Sequence, residues 1–150
     1  MNFKKYFSII LFLNILLFSN SSCKNQKAKQ DKLQKEVIAA HDILMARMDV
    51  IYDNQSALNK IEENLDSLKT IESNLDTVKL KLEINGLKSQ LANADDAMMK
   101  WMNNFKTDYE SKSDEQILDY LNNQKIKIDS VKTLFDQSLS KSGALIQKYN

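Results

Sequence analysis

The chain has 150 residues, with 21 basic and 20 acidic residues for a formal net charge of +1, a single cysteine and no proline. A near-neutral chain with interspersed charges lacks the basic surface that nucleic-acid binding needs, so we expect no nucleic-acid partner. A single cysteine excludes a disulfide within the chain and cysteine-rich zinc or iron–sulfur sites.

The N-terminal segment predicts export. Two lysines precede the apolar run Tyr6–Phe18, which is long enough for a signal-peptide core and short for a membrane span of about 20 residues. Cys23 follows two serines in a stretch that resembles the lipobox of bacterial lipoproteins. We therefore expect residues 1–22 to be a lipoprotein signal peptide and Cys23 to carry the lipid anchor, with the protein on the outer membrane facing the periplasm. The alternative is ordinary cleavage near Ser21 or Ser22, which would leave a free thiol in an exported protein.

The rest of the chain predicts three long helices. Apolar residues recur every three or four positions, the spacing that draws one stripe along a helix, and no segment alternates like a strand. We predict helices over about 31–67, 73–109 and 114–149, preceded by Cys23 and a flexible polar tether up to residue 30. The predicted fold class is all-α, an antiparallel up-down-up three-helix bundle with coiled-coil-like packing.

Local signals predict where the helices end. The nine-residue segments 61–69 and 71–79 have nearly the same sequence and begin ten residues apart. Because ten is not a multiple of the seven-residue heptad, this repeat interrupts a coiled-coil pattern locally. Asn85–Gly86 is an alternative turn. We prefer the break near residue 70 because it gives helices of similar length. Ser113 and Gln116 form a capping-box pattern that predicts the start of the last helix.

Five of the six methionines lie in two short segments. The segment "HDILMARM" at 41–48 holds the only histidine, and "DDAMMKWM" at 95–102 holds the only tryptophan. In a hairpin that reverses near residue 70, residues whose numbers sum to about 140 lie level with each other. We therefore expect the fold to bring the two segments together into one soft cluster.

Two interpretations of this cluster stay open. Methionines at helical spacing fill irregular gaps in a core and contact aromatic rings, here Trp101. Alternatively, thioethers and an imidazole bind a soft ion such as Cu(I) or Ag(I). The candidate metal ligands are His41, Met45, Met98 and Met102, and their candidate neighbours are Asp42, Met48, Met99 and Trp101. Haem held by histidine and methionine fits the ligand types, but a narrow three-helix core has little room for it.

The two segments resemble motifs of small exported lipoproteins common in Bacteroidota. Those proteins carry His-Asp-x-x-Met-x-x-Met in the first helix and Met-Met-x-Trp-Met in the second. The matching positions are His41, Asp42, Met45 and Met48, then Met98, Met99, Trp101 and Met102. Members often carry the label "viral A-type inclusion protein", which reflects coiled-coil similarity. The resemblance implies an exported, lipid-anchored helical protein and brings no established activity.

The sequence carries no catalytic motif. The single histidine excludes paired-histidine metal sites, and neither a Gly-rich phosphate loop nor a Gly-x-Ser-x-Gly elbow is present. We therefore expect no enzyme. The expected function is that of an interaction or structural module of the cell envelope, whose partner is an envelope protein or a second copy. The alternative function is soft-metal binding or sensing at the His/Met/Trp cluster.

Overall fold

Helices make up most of the described chain. The computed structural model describes residues 25–149, so the expected signal peptide (1–22) and Cys23 lie outside the described residues. Within that range the chain forms no strand. The helices are α1 (25–45), α2 (Met48–Glu63), α3 (Leu65–Ile71), α4 (Thr77–Asn104) and α5 (Asp114–Tyr149). The predicted all-α class is confirmed.

The polar segment that was predicted to be a flexible tether is helical from residue 25 onward. Lys, Gln and Ala are good helix formers, and Lys27 pairs with Asp31 one turn later at 3.1 Å. Gln30 is buried, and its Nε2 donates hydrogen bonds to Oδ1 (2.8 Å) and the backbone oxygen (3.2 Å) of Asp114. The tether prediction was wrong because a polar side chain is here buried against a hydrogen-bonding partner on another helix.

The helix predicted over 31–67 is interrupted twice. A turn at 46–47 separates α1 from α2, where the backbone N–H of Arg47 donates to the oxygen of Leu44 at 2.9 Å. At Asn64, between α2 and α3, the side-chain amide donates to the oxygen of Lys60 at 2.8 Å. A short polar side chain that bonds the preceding turn competes with the helical ladder, which accounts for the second interruption.

The chain reverses at residues 72–76, between α3 and α4. Asp76 caps α4, because its Oδ1 accepts a hydrogen bond from the backbone N–H of Lys79 at 2.9 Å. The alternative turn at Asn85–Gly86 lies inside α4. The second long helix is therefore shorter at both ends than the predicted 73–109.

The capping box at the start of α5 is confirmed. The backbone N–H of Ser113 donates to Oε1 of Gln116 at 2.9 Å. The backbone N–H of Gln116 donates to Oγ of Ser113 at 3.3 Å. Two backbone donors of the helix terminus are thus satisfied reciprocally, which fixes where α5 begins.

Helices α2, α4 and α5 pack against one another around a common apolar core. In α4 the buried residues follow helical spacing: Leu80, Ile84, Leu87, Leu91, Ala94, Met98 and Trp101. In α5 the buried seam also includes polar residues, namely Gln124, Ser138 and Ser142. None of the helices within residues 25–149 combines the length and apolar character that crossing a membrane takes.

Contacts between the helices show their relative directions. From α2 to α4, contacts join Tyr52 to Asp95 and Glu62 to Lys88, so the numbers change in opposite senses and the two helices are antiparallel. From the α1–α2 segment to α5, contacts join Arg47 to Asp136 and Asn54 to Ser142, so the numbers rise together. These directions bring the start of α1 close to the start of α5, as the bonds of Gln30 require.

Candidate functional site

The structure divides the eight residues of the two methionine motifs between core and surface. Met48, Met98 and Trp101 are buried in the core. Met102 is half-buried and packs against that core. Met45 and Met99 are exposed. The methionines therefore do not all meet at one point, and Met98 in particular acts as a core residue.

One pocket of about 340 Å³ does join the two motifs. We call it the His41 pocket, and its lining residues are Ile38, His41, Asp42, Trp101, Met102 and Phe105. The ring centroids of His41 and Trp101 lie 5.6 Å apart with an interplanar angle of 31°. The fold thus brings together four of the expected site residues. Met45, Met48, Met98 and Met99 are not among the residues that line it.

The imidazole of His41 has a fixed partner. Its Nδ1 lies 2.9 Å from Oδ1 of Asp42, the next residue along the last turns of α1. In the tautomer whose Nδ1–H donates to this carboxylate, Nε2 is the ring nitrogen that can bind a metal ion. Within residues 25–149 no three side chains of His, Cys, Asp or Glu are grouped to hold a metal ion.

Trp101 begins a row of aromatic rings that crosses from α4 to α5. Its indole stacks on Phe105 with ring centroids 4.8 Å apart. Phe105 lies 6.4 Å from the ring of Tyr120, and Tyr120 lies 6.0 Å from Tyr109 in the α4–α5 loop. Burial, together with the neighbouring Tyr120, raises the pKa of Tyr109, so the Tyr109 phenol keeps its proton at physiological pH. The row fixes the indole of Trp101 at the meeting point of α1, α4 and α5.

Sequence reasoning missed two residues on the α5 side of Trp101, namely Tyr120 and Gln124. Gln124 is buried although it is polar. Its position gives a signal, because it follows Leu121 by three residues and precedes Ile128 by four. A polar residue that takes the place of an apolar one in the helical spacing is expected to lie in the core. A buried polar side chain then needs a hydrogen-bond partner.

The chain matches no protein-family model, no curated protein and no solved structure. The likeness of the two methionine motifs to Bacteroidota lipoproteins therefore stays an expectation.

Proposed function

We propose that this chain is a lipid-anchored, non-catalytic helical module of the bacterial cell envelope that binds a partner at the end away from its anchor. The observation that carries the proposal is a groove between α3 and α4, of about 370 Å³, which we call the tip groove. Its lining residues are Leu65, Asp66, Thr77, Val78, Lys81, Leu82 and Asn85. The groove lies beside the 72–76 reversal.

The proposed architecture is an up-down-up bundle in which α1, α2 and α3 together form the first arm. The antiparallel contacts of α2 with α4, and the parallel contacts of α2 with α5, support it. Residue 25 follows the expected lipid-bearing Cys23 by two positions, and two residues span at most about 7 Å. In this arrangement the membrane lies near the start of α1, and the tip groove lies at the opposite end.

The tip groove exposes apolar side chains at positions where a solvent-facing surface usually carries polar ones. Val78 is 70% exposed and Leu82 is 69% exposed, and they lie one turn apart on α4. Ile71, at the end of α3, is exposed as well. Scattered exposed apolar residues are ordinary, but a contiguous group that lines a concave surface is typical of an interaction site.

The charges beside this apolar surface favour a second copy of the chain as the partner. Asp66 and Lys81 both line the tip groove, one acidic on α3 and one basic on α4. Lys81 also pairs with Glu62 of its own chain at 3.6 Å. In a two-fold symmetric pair the same patch meets itself, and the proposed pair places each Asp66 carboxylate opposite the Lys81 ammonium group of the other copy. Such a patch is self-complementary in charge as well as in apolar surface.

Sedimentation equilibrium of the chain from residue 23 onward, with Cys23→Ser, tests this proposal. We expect concentration-dependent dimers in the micromolar range that the double variant Val78→Ser/Leu82→Ser abolishes. The matched control is Ile126→Ser, because Ile126 is 64% exposed on α5 and does not line the tip groove. A monomer at every concentration, or dimers that the double variant leaves intact, would contradict self-association through the tip groove.

A second candidate function is soft-metal binding in the His41 pocket. The observation that favours it is the 2.9 Å bond between His41 Nδ1 and Asp42, which leaves Nε2 as the proposed ligand, while Met102 lines the same pocket. Imidazole and thioether are ligands that Cu(I) and Ag(I) accept. Met45 is exposed one turn after His41 but outside the lining of the pocket, so it becomes the proposed third ligand only if its flexible side chain turns toward the metal.

Trp101 reports on this second candidate, because it is the only tryptophan and its ring lies 5.6 Å from that of His41. We expect Ag(I), titrated without chloride, to quench Trp101 fluorescence saturably at one equivalent. His41→Leu and Met102→Leu should each abolish the response. Met98→Leu is the control that should leave it unchanged, since Met98 is a buried core residue outside the pocket. Quenching that survives His41→Leu would refute a site in this pocket.

A further inference from the structure

A second pocket lies between α4 and α5, on residues that neither proposed function uses except for Trp101. Its volume is about 470 Å³, within the range of about 300–1,000 Å³ that small-molecule sites occupy. We call it the α4–α5 pocket, and its lining residues are Ala97, Lys100, Trp101, Asn104, Tyr120, Gln124, Lys127 and Val131. Two aromatic rings and two small aliphatic side chains give it an apolar body.

Two of its lining residues carry buried polar atoms without hydrogen-bond partners. Trp101 is 6% exposed and Gln124 is 3% exposed, yet Nε1 of Trp101 and Oε1 of Gln124 have no partner. Among residues 25–149 the only other such atom is Oε1 of Gln26, near the start of α1. An unpaired buried donor or acceptor costs about 1–3 kcal/mol, so native proteins rarely leave one without a reason. Here a donor and an acceptor are left unpaired beside the same pocket.

The charge of the pocket is positive. Lys100 on α4 and Lys127 on α5 are both exposed, and neither forms an ion pair with any residue in the described range. No aspartate or glutamate lines the pocket. Two ammonium groups without a carboxylate between them favour an anion, and the low-dielectric wall formed by the aromatic rings strengthens that preference.

From these observations we infer that the α4–α5 pocket binds a small aromatic anion that also carries an N–H or O–H donor. The aromatic part packs on Trp101 and Tyr120, and the anionic group lies between Lys100 and Lys127. Oε1 of Gln124 and Nε1 of Trp101 have almost no accessible surface, so the proposed ligand bonds them only after a small rotation of the two side chains that line the pocket. The ligand class is thus set by the two orphaned atoms and the two lysines.

A purely structural role for Gln124 explains fewer of these observations than ligand binding does. A buried polar residue in a helical seam fixes register when it bonds a partner across the seam. Oε1 of Gln124 bonds nothing within the described chain, so it contributes no such specificity. A ligand that supplies a donor accounts for the acceptor that Gln124 leaves without a partner.

The probe for the test is 8-anilinonaphthalene-1-sulfonate, which combines fused and single aromatic rings, an amine N–H and one sulfonate. We expect one molecule to bind per chain from residue 23 onward (Cys23→Ser), with energy transfer from Trp101 as the signal. Its uncharged analogue N-phenyl-1-naphthylamine lacks the sulfonate and should bind about tenfold more weakly. Equal binding of the two compounds would overturn the assignment of an anion site.

Variants separate this pocket from other surfaces. Lys100→Glu/Lys127→Glu should weaken binding of the sulfonate by about tenfold or more, whereas Lys79→Glu/Lys112→Glu changes the net charge equally and should not. Gln124→Leu should weaken binding about fivefold while raising the urea midpoint, because it removes an unpaired buried acceptor. Val78→Ser/Leu82→Ser should leave binding intact, since those residues line the tip groove. Equal losses in the two lysine pairs, unchanged affinity in Gln124→Leu, or a loss in the tip-groove variant would each overturn the proposal.

Discussion

Single polar residues decide how closely the helices approach. Ser142 is fully buried in α5, and its Oγ donates to the oxygen of Ser138 at 2.6 Å and accepts from Nδ2 of Asn54 on α2 at 2.8 Å. The hydroxyl is therefore satisfied on both sides, which makes its burial tolerable. The small volume of two serines also leaves room for α2, where a leucine stripe would hold the helices apart.

We predict that Ser142→Val destabilises the fold by about 2–3 kcal/mol, because it adds volume at a packed contact and leaves Asn54 without its partner. Urea unfolding followed by circular dichroism measures the change in the free energy of unfolding. Ser140→Val is the matched control, since Ser140 is exposed on the same helix and a β-branched residue costs both sites the same propensity. Similar losses at the two positions would contradict the packing role of Ser142.

A second residue-scale prediction concerns Asp136, which joins α5 to the turn after α1. The hydrogen bonds from Lys132 (2.6 Å) and then Arg47 (2.7 Å) lower the pKa of its carboxyl group. Because the pKa is lower in the folded state, the pairing stabilises the fold at pH values above the unfolded carboxyl pKa of about 3.9. This stabilisation is lost as the pH falls through the pKa of the folded state. Because the Asp136 side chain is 44% exposed, solvent screening limits the effect to at most about 1 kcal/mol.

Asp136→Asn should therefore lower stability at neutral pH, and its difference from the wild type should shrink as the pH falls below about 3.9 and the carboxyl takes up its proton. The measurement is the urea midpoint across that range of pH. Asp129→Asn is the control, because Asp129 pairs only with Lys125 on its own helix. A difference that stays constant down to about pH 2 would show that the charge of Asp136 contributes nothing.

At the scale of helices, the sequence predicted the apolar stripes and the start of α5 but not the interruptions. The spacing of three or four residues between apolar positions can be read from the sequence, and so can Ser113 and Gln116 of the capping box. The break at Asn64 depends on a side-chain amide reaching the oxygen of Lys60, a competition that periodicity does not reveal. The burial of Gln124 and Ser142 was not predicted for a related reason, because polar residues are usually expected to be exposed to solvent.

The same limit applies to the candidate site. Its residues were chosen by type and spacing, and His41, Trp101 and Met102 do line one pocket. Met45 and Met98 do not lie together because the rotation of α1 relative to α4 depends on the turn at 46–47 and on the position of the chain reversal. That reversal is centred on 72–76 rather than on 70. A shift of a few residues in the reversal rotates a side chain from the seam to the surface.

For the element scale we predict that Ser113→Ala costs about 1 kcal/mol of stability, because it removes the acceptor for the backbone N–H of Gln116 at the start of the longest helix. Thermal and urea unfolding monitor the loss. Ser111→Ala, two residues earlier in the exposed loop, is expected to change stability by no more than a few tenths of a kcal/mol. A cost shared equally by the two serines would rule out a capping role.

At the scale of the whole molecule, the two ends differ in chemistry. The aromatic row and both pockets beside Trp101 lie toward the end where α1 and α5 begin, as the bond from Gln30 to Asp114 indicates. At the other end, Leu145 and Lys148 near the end of α5 line one groove together with Glu83 of α4, so the end of α5 lies beside the first turns of α4. Exposed apolar residues of the tip groove lie at that end. The pocket proposed to bind a small molecule and the groove proposed to bind a second copy therefore lie toward opposite ends of the molecule.

This arrangement predicts distances along the molecule that spin labels measure. With Cys23→Ser, labels at Lys29→Cys and Ser73→Cys should be roughly 65 Å apart, because 44 residues of nearly continuous helix at about 1.5 Å each separate them. Labels at Lys29→Cys and Ser111→Cys should be several-fold closer, since the start of α1 contacts the start of α5. All three positions are exposed, so the labels disturb no packing. Double electron–electron resonance gives both distances, and two similar short values would mean that the first arm folds back at 46–47 or Asn64, which would remove the separation of the two ends.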